Sequence, residues 1–213
     1  MNDAFLGAAP GYVKAPLRWS GGGPHGVQEM KPGDHPEFFR FPAPEGRSRE
    51  SSIRLDAAGR FWHDDRRVDH AGLAAAFHSW ISRHPDDGRY ILTNGYDWSY
   101  FTVDDAPYFV RAVRIEPQRI LLLLSDGTEE AWDPERTRVG PDGGLYAAVK
   151  REAAGGPFEA KFTQHAQASL GPVLVESEGQ NEGSAAEGSP GTAPWVRIGG
   201  RLHAIAPKTA GFG

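Results

Sequence analysis

The sequence predicts an α+β fold of two similar small lobes, each made of antiparallel strands with one helix. Three observations carry that expectation. Short apolar-polar alternations recur between clusters of Gly, Pro, Asn and Asp, the pattern of half-buried strands joined by tight turns. Two segments alone place apolar residues at helical spacing. The chain is 39% hydrophobic and 24% charged, and its 27 Gly and 17 Pro gather towards the two ends, so the middle has the make-up of a packed domain.

Residues 1–52 show little apolar periodicity, and the run Gly21-Gly22-Gly23-Pro24-His25-Gly26 predicts a flexible N-terminal arm. Phe38, Phe39 and Phe41, beside Pro36 and Pro42, are the exception. They are too apolar to leave in water and predict a strap packed on the domain, or a partner-binding motif.

The first lobe is expected over 53–103. Ile53-Arg54-Leu55-Asp56 and Arg60-Phe61-Trp62-His63 flank a turn at Ala57-Ala58-Gly59, a hairpin pattern. Asp69 is placed to cap a helix whose Leu73, Phe77, Trp80 and Ile81 fall at i, i+4, i+7 and i+8, with Pro85-Asp86-Asp87-Gly88 ending it. His78 then falls on the helix rim. A strand at 90–93 turns through Asn94-Gly95 into another at 96–102.

The second lobe is expected over 104–176. Strands at 109–115, 119–125 and 128–132, separated by Pro117 and by Asp126-Gly127, read as a meander, and 145–150 adds a strand. Phe158, Phe162, His165 and Ala166 suggest the second helix, and Val173-Leu174-Val175 a closing strand. Residues 177–194, rich in Glu, Gly, Ser and Ala, read as a linker. Over 195–213, Val196-Arg197-Ile198 and 201–205 around Gly199-Gly200 predict a hairpin and tail. A lone hairpin is marginal in water, so this one is expected to dock or to stay mobile.

An internal duplication suggests itself at an offset of 85, where Gly59 aligns with Gly144, Phe61 with Tyr146, Leu73 with Phe158, Ala75 with Ala160 and Phe77 with Phe162. At an offset of 82, residues 90–93 align with 172–175. Any two amphipathic segments share such matches, so chance explains them equally well.

With no cysteine, disulfides, thiolate nucleophiles and Cys-ligated zinc are excluded. No apolar run approaches the ~18 residues of a membrane span, and no signal-peptide pattern opens the chain, so a cytoplasmic protein away from membranes is expected. The stretch 53–176 holds 14 basic and 19 acidic residues and so carries the entire net charge of -5. That acidity argues against a nucleic-acid polymer as partner, while leaving room for one phosphate in an Arg-lined pocket.

Asp104-Asp105, ahead of Ala106-Pro107, could hold a cation, accept from a ribose or base, or clamp an Arg; equally, one caps the turn and the other is solvated. His63, His70, His78 and His84 stand near several Asp residues, but His70 and His78 are eight apart, about 12 Å along a helix, and metal ligation is not expected. Gly21-Gly22-Gly23 lacks the Lys-Ser/Thr of a phosphate loop, and Ser99, Ser125 and Ser169 lack the context of a nucleophile elbow, so no catalytic residue is assigned. Trp62, Trp98 and Trp132 alternate with polar residues and read as core, with Arg60, Arg89 or Arg111 near enough to meet a phosphate if one of them faces a cleft.

The succession I-R-L-D-x-x-G-R-F-W-H from Ile53, D-D-G-R-Y-I-L-T from Asp86 and V-D-D-A-P-Y-F-V from Val103 resembles the bacterial domain-of-unknown-function family 1285. Tyr146 to Val149, Phe158-Glu159-Ala160 and Gly171-Pro172-Val173-Leu174 follow its pattern more loosely, and Thr93-Asn94 stands where the family has Thr-Pro. The resemblance implies two structurally similar domains, a second half superficially like a pleckstrin-homology domain, and a nucleotide-type ligand at the interface linked to signalling. It establishes no activity and no cofactor. The expected function is ligand binding or regulation, with Thr93, Asp104 and Asp105 at the ligand and Arg89 or Arg111 on any phosphate. A metal-dependent hydrolase or transferase using Asp104 or Asp105 is one alternative; a protein interaction domain using the Phe38 cluster and the C-terminal hairpin is the other.

Overall fold

Alternation from Glu50 to Leu55 buries Ile53 and Leu55 and leaves Ser52 and Arg54 towards solvent, which makes β1 (Glu50–Leu55). The computed structural model describes residues 30–175 and 194–207, and every element lies in the unit that begins at Lys31. β1 turns at Gly59 into β2 (Phe61–His63), and a two-residue turn of Asp64 and Asp65, both at positive φ, leads to β3 (Arg66–Arg67). Then come α1 (Ala71–Ser79), β4 (Ile81–Arg83), β5 (Tyr90–Thr93) and β6 (Trp98–Val103). The sheet order is β3-β2-β1-β6-β5-β4, with β1 and β6 parallel.

Four expectations for this lobe need correction. Asp69 does not cap α1: it pairs with Arg67, and His70 Nδ1 accepts from the Leu73 amide at 3.1 Å instead. The helix stops at Ser79, because Ile81 pairs with Leu92 as the start of β4, and Pro85-Asp86-Asp87-Gly88 turns the β4–β5 hairpin. Leu73 is 36% exposed, so the apolar face begins only at Phe77. His78 is no rim residue: it is 1% exposed, with its ring 4.8 Å from that of Phe61.

The second lobe holds β7 (Tyr108–Glu116), β8 (Arg119–Leu124), β9 (Glu129–Ala131), β10 (Thr137–Val139), β11 (Leu145–Val149), β12 (Phe158–Phe162) and α2 (Gln164–Ala168). Residues 158–162 are therefore a strand, not helix. Phe158, Ala160 and Phe162 are buried and Glu159 and Lys161 are not, a period of two, and the helix begins only after the Thr163 hydroxyl caps the Ala166 amide. The sheet curls into a half-barrel, bringing Trp132 after β9 to 5.6 Å from Phe162 of β12, ring to ring. Two short strands follow: β13 (Leu174–Val175) pairs with the hairpin of β14 (Trp195–Ile198) and β15 (Arg201–Ala204), so the C-terminal hairpin docks. β16 (Ala206–Pro207) then extends the second sheet, giving the order β16-β10-β11-β12-β7-β8-β9.

Leaving out β16, the two sheets have the same topology. Numbered within its lobe, each runs 3-2-1-6-5-4, with the first and sixth strands as its parallel pair. β1 opens at Glu50 and β7 at Tyr108, 58 residues on, so the duplication does not follow the alignment at 85, which sets α1 against β12. The repeat lies in strand order, and the helix is placed differently in each lobe: between the third and fourth strands in one, after the sixth in the other.

Within 31–52, placed by the sequence in the N-terminal arm, Pro32–Asp34 and Pro36–Arg40 form short 3-10 helices and the Phe38 segment lies on the first lobe; residues 1–29 and the linker 176–193 lie outside the described residues. Gly33 donates to the Gly95 carbonyl at 2.8 Å, the Phe39 ring packs 6.1 Å from Trp98, and Arg40 pairs with Asp86 at 2.8 Å. The aromatic residues decide this, since Phe39 gains a sheet face that a solvated arm would leave exposed. One buried cluster runs from Ile53, Phe61 and Phe77 through Tyr108 and Phe109 to Leu122 and Phe162, so the lobes share a core.

Candidate functional site

A cleft of about 980 Å3 opens between the lobes. Its first-lobe wall is the turn at Ala57 and Ala58; its second-lobe wall is Phe109, the turn at Asp142 to Gly144, the end of β12 and the exposed side of α2. Local sequence fixes both. Asp56 accepts from the amides of Ala58 and Arg60, from the Arg60 guanidinium and from the Trp62 indole, which freezes the turn. Gly59, at φ +78°, packs against Phe109: a Cβ there would come within 2.9 Å of the Phe109 ring. Any other residue at Gly59 would be strained by its backbone and would push the lobes apart.

Lys161 is the charged centre of the cleft. Its ammonium donates to Asp105 at 2.7 Å and to Asp142 at 3.1 Å, and Tyr146 donates its hydroxyl to the same Asp105 oxygen at 3.0 Å. The bond to Asp105, then that with Tyr146, raises the Lys161 pKa beyond its ordinary range, so the amine stays protonated and cannot act as a base. Burial pushes the Tyr146 hydroxyl up, and the Gly144 amide, followed by Lys161, holds the Asp142 carboxyl below its usual range. Arg138 lies 4.0 Å over the Tyr146 ring and grips Glu159 with two bonds of 2.6 and 2.8 Å, bracing the platform from behind. Gln164 and His165, exposed on α2, are the adaptable donors and acceptors of the lining.

The five residues expected at a ligand are not brought together. Thr93 pairs with Trp98 at one end of β6 and Asp104 follows its other end, roughly 20 Å away along the strand. The Thr93 hydroxyl donates to the Asp97 carbonyl and accepts from the Gly95 amide, closing the β5–β6 turn. Arg89 lies 3.7 Å over the Tyr100 ring and binds both oxygens of Glu50 at the surface. Asp104 pairs with Arg54, and Arg111 is exposed at a bulge of β7. Asp105 alone reaches the cleft, through Lys161. Among the described residues, no three His, Asp or Glu side chains are grouped as metal ligands; His63 ends β2, and Asp64 and Asp65 form the β2–β3 turn.

Sequence reasoning missed Lys161 and His165 by placing both on one helix. The strict alternation from Phe158 to Phe162 carries the signal, since it points Glu159 and Lys161 to the opposite face from the two Phe residues.

No family model matches the chain, and no curated protein matches it. Among solved structures, a DUF1285 family protein from Silicibacter pomeroyi superposes with a TM-score of 0.54 at 15% identity, over 78% of this chain and 91% of the other. The fold is that of the DUF1285 proteins. A second such protein, from Shewanella baltica, aligns at 19% identity over 55% of this chain and 87% of its own, with a TM-score of 0.44. Within the DUF1285 fold of this chain, the interlobe cleft has no strap residue in its lining and shares Leu174 with the strand that pairs with the docked hairpin, and no described helix is long and apolar enough to cross a membrane.

Proposed function

We propose that the protein binds a nucleotide-type small molecule in the interlobe cleft and relays its occupancy through the relative position of the lobes. The observation that carries this reading is a cleft of about 980 Å3 walled by both lobes, within the size range of ligand pockets. A base and ribose suit it better than a chain of phosphates. Asp142 and Lys161 balance each other at the lining, and Gln164, His165 and backbone groups of the Gly143-Gly144 turn offer paired donors and acceptors. The relay follows from Gly59 resting on Phe109, because an occupant wedged beside that contact bears on both lobes at once.

The hydrolase alternative finds less support, since Asp104 and Asp105 each already face a basic side chain. The interaction-domain alternative keeps an exposed Phe41, while Phe39 of the same cluster packs against Trp98. Thermal-shift titration with nucleosides and nucleotides tests the proposal. A ligand at a hundred times its dissociation constant adds about 2.7 kcal/mol, which at this chain length is roughly 5 to 10 °C. Lys161→Ala and His165→Ala should shrink that shift and Arg89→Ala should not. A flat response across the panel, or shifts untouched by both cleft substitutions, refutes it.

A further inference from the structure

A second cavity, of about 370 Å3, lies where the N-terminal strap, the edge of the first sheet and the β11–β12 loop of the second lobe meet. Lys31 and Asp34 come from the strap, Arg83 from β4, Thr93 from the β5–β6 turn and Gly155 from the loop, with Phe39 among the apolar walls. Two of these groups are cations with no ion pair among the described residues. Arg83 makes one long contact to the Tyr90 hydroxyl, at 3.3 Å, and its guanidinium sits 5.0 and 5.4 Å from the rings of Tyr90 and Phe158. Its Nε is buried and without an acceptor. Lys31 lies 5.7 Å over the Tyr96 ring, and Asp34 spends a carboxylate oxygen on the Lys31 backbone amide at 2.7 Å.

An arginine and a lysine outside any described ion pair, beside a single carboxylate, leave the lining net positive, and an oxyanion is its ordinary complement. The lining carries two positive charges and one negative, so a single carboxylate neutralises it. Pro36, Phe39 and Pro85 offer apolar surface beside those charges, which favours a compact apolar body on the acid over a phosphate ester. The loop is built for close approach: a Cβ on Gly155 would come within 2.8 Å of the Arg83 side chain, so this wall sits directly on β4. We infer that this seam binds a small monocarboxylic acid through Arg83 and Lys31, clasping the strap to the first lobe. It is separate from the interlobe cleft and does not depend on the reading given for that cleft.

The test uses the full chain, benzoate as probe and benzamide as its uncharged counterpart, followed by amide NMR titration. Benzoate should shift the amides of Thr93, Gly95 and Gly155 saturably in the millimolar range, with benzamide about tenfold weaker. Arg83→Met, which keeps the stem and removes the charge, should weaken benzoate about tenfold, and Lys31→Ala, on the exposed strap, several-fold. Lys161→Ala should leave the titration unchanged. No saturation by about 10 mM benzoate, equal binding of benzamide, or shifts confined to Lys161 and Thr163 would each overturn the inference, the last while leaving the cleft reading intact. Should Arg83→Met not fold, Lys31→Ala and the benzamide comparison decide.

Discussion

His78 is sealed into the first lobe as a neutral ring. Burial, reinforced by the nearby charge of Arg111 and opposed by the Gly59 backbone, lowers its pKa from 6.5 to about 4. The folded state therefore binds the proton more weakly than the unfolded chain does. Its contribution is complete above pH 6.5 and is lost as pH falls towards 4, by up to about 3 kcal/mol. Denaturant midpoints followed from pH 7 to 4.5 should fall for the native chain, and His78→Leu should flatten that part of the profile. Parallel profiles for the two proteins would contradict the burial. A second buried charge behaves differently: Asp126, although burial pushes it up, is held below its ordinary range by bonds from Lys150 and Thr128. Asp126→Asn leaves the Lys150 ammonium only the Thr128 hydroxyl and the more distant Glu130, 3.7 Å away, and should cost about 2 kcal/mol in chemical denaturation, with Lys150→Met added to it recovering part of that loss. Sequence reasoning could not foresee His78. Its apolar neighbours are as consistent with a helix rim as with an interior, and only the packing of Phe61 decides between them.

At the scale of elements, the strap is the segment of whose contacts the sequence said least. The sequence showed Phe38, Phe39 and Phe41 as an anomaly but held no periodicity to say what they touch; the partners, Trp98 and His84, stand more than forty residues away. Phe39 is half-buried, so Phe39→Ala should cost about 2 kcal/mol, less than the 3 to 5 expected for the fully buried Phe158, and should alter the fluorescence of Trp98. Unchanged stability and emission would show that the strap contributes nothing in solution. Some hairpins were legible from turn residues between alternating runs, as at Asn94-Gly95, Asp126-Gly127 and Gly199-Gly200, whereas those through Asp64-Asp65, Pro85 to Gly88 and Gly140 to Gly144 were not, because one or both of their strands span only two or three residues. Helices were less so, because in short segments an apolar residue at every second position can also satisfy a helical spacing. Phe158 and Phe162 fit both templates, and Glu159 and Lys161 between them break the tie. The site suffered from the same ambiguity, since Lys161 only joins Asp105 if that segment is extended.

For the molecule as a whole, two lobes were legible and their junction was not. The Tyr108 hydroxyl donates to the Ile81 carbonyl at 3.1 Å, and Tyr90 stacks with Phe158, so the core is continuous across the boundary. The lobes should therefore unfold together. Tryptophan emission, to which the first lobe contributes three of the six indoles through Trp62, Trp80 and Trp98, should coincide with far-ultraviolet circular dichroism across a denaturant series. Separated midpoints would mean the shared core does not couple them. The duplicated strand order also bears on how the chain comes to be folded at all. In each lobe the first strand borders the last, so β1 is synthesised 48 residues before its parallel neighbour begins at Trp98. At ordinary elongation rates of about 5 to 20 residues per second, that edge stands open for roughly 2 to 10 seconds, held only by a hairpin too small to be stable alone. Then β7 begins the same wait for β12. A nascent chain of this kind is vulnerable twice in succession, each time until its sixth strand leaves the ribosome and closes the middle of the sheet.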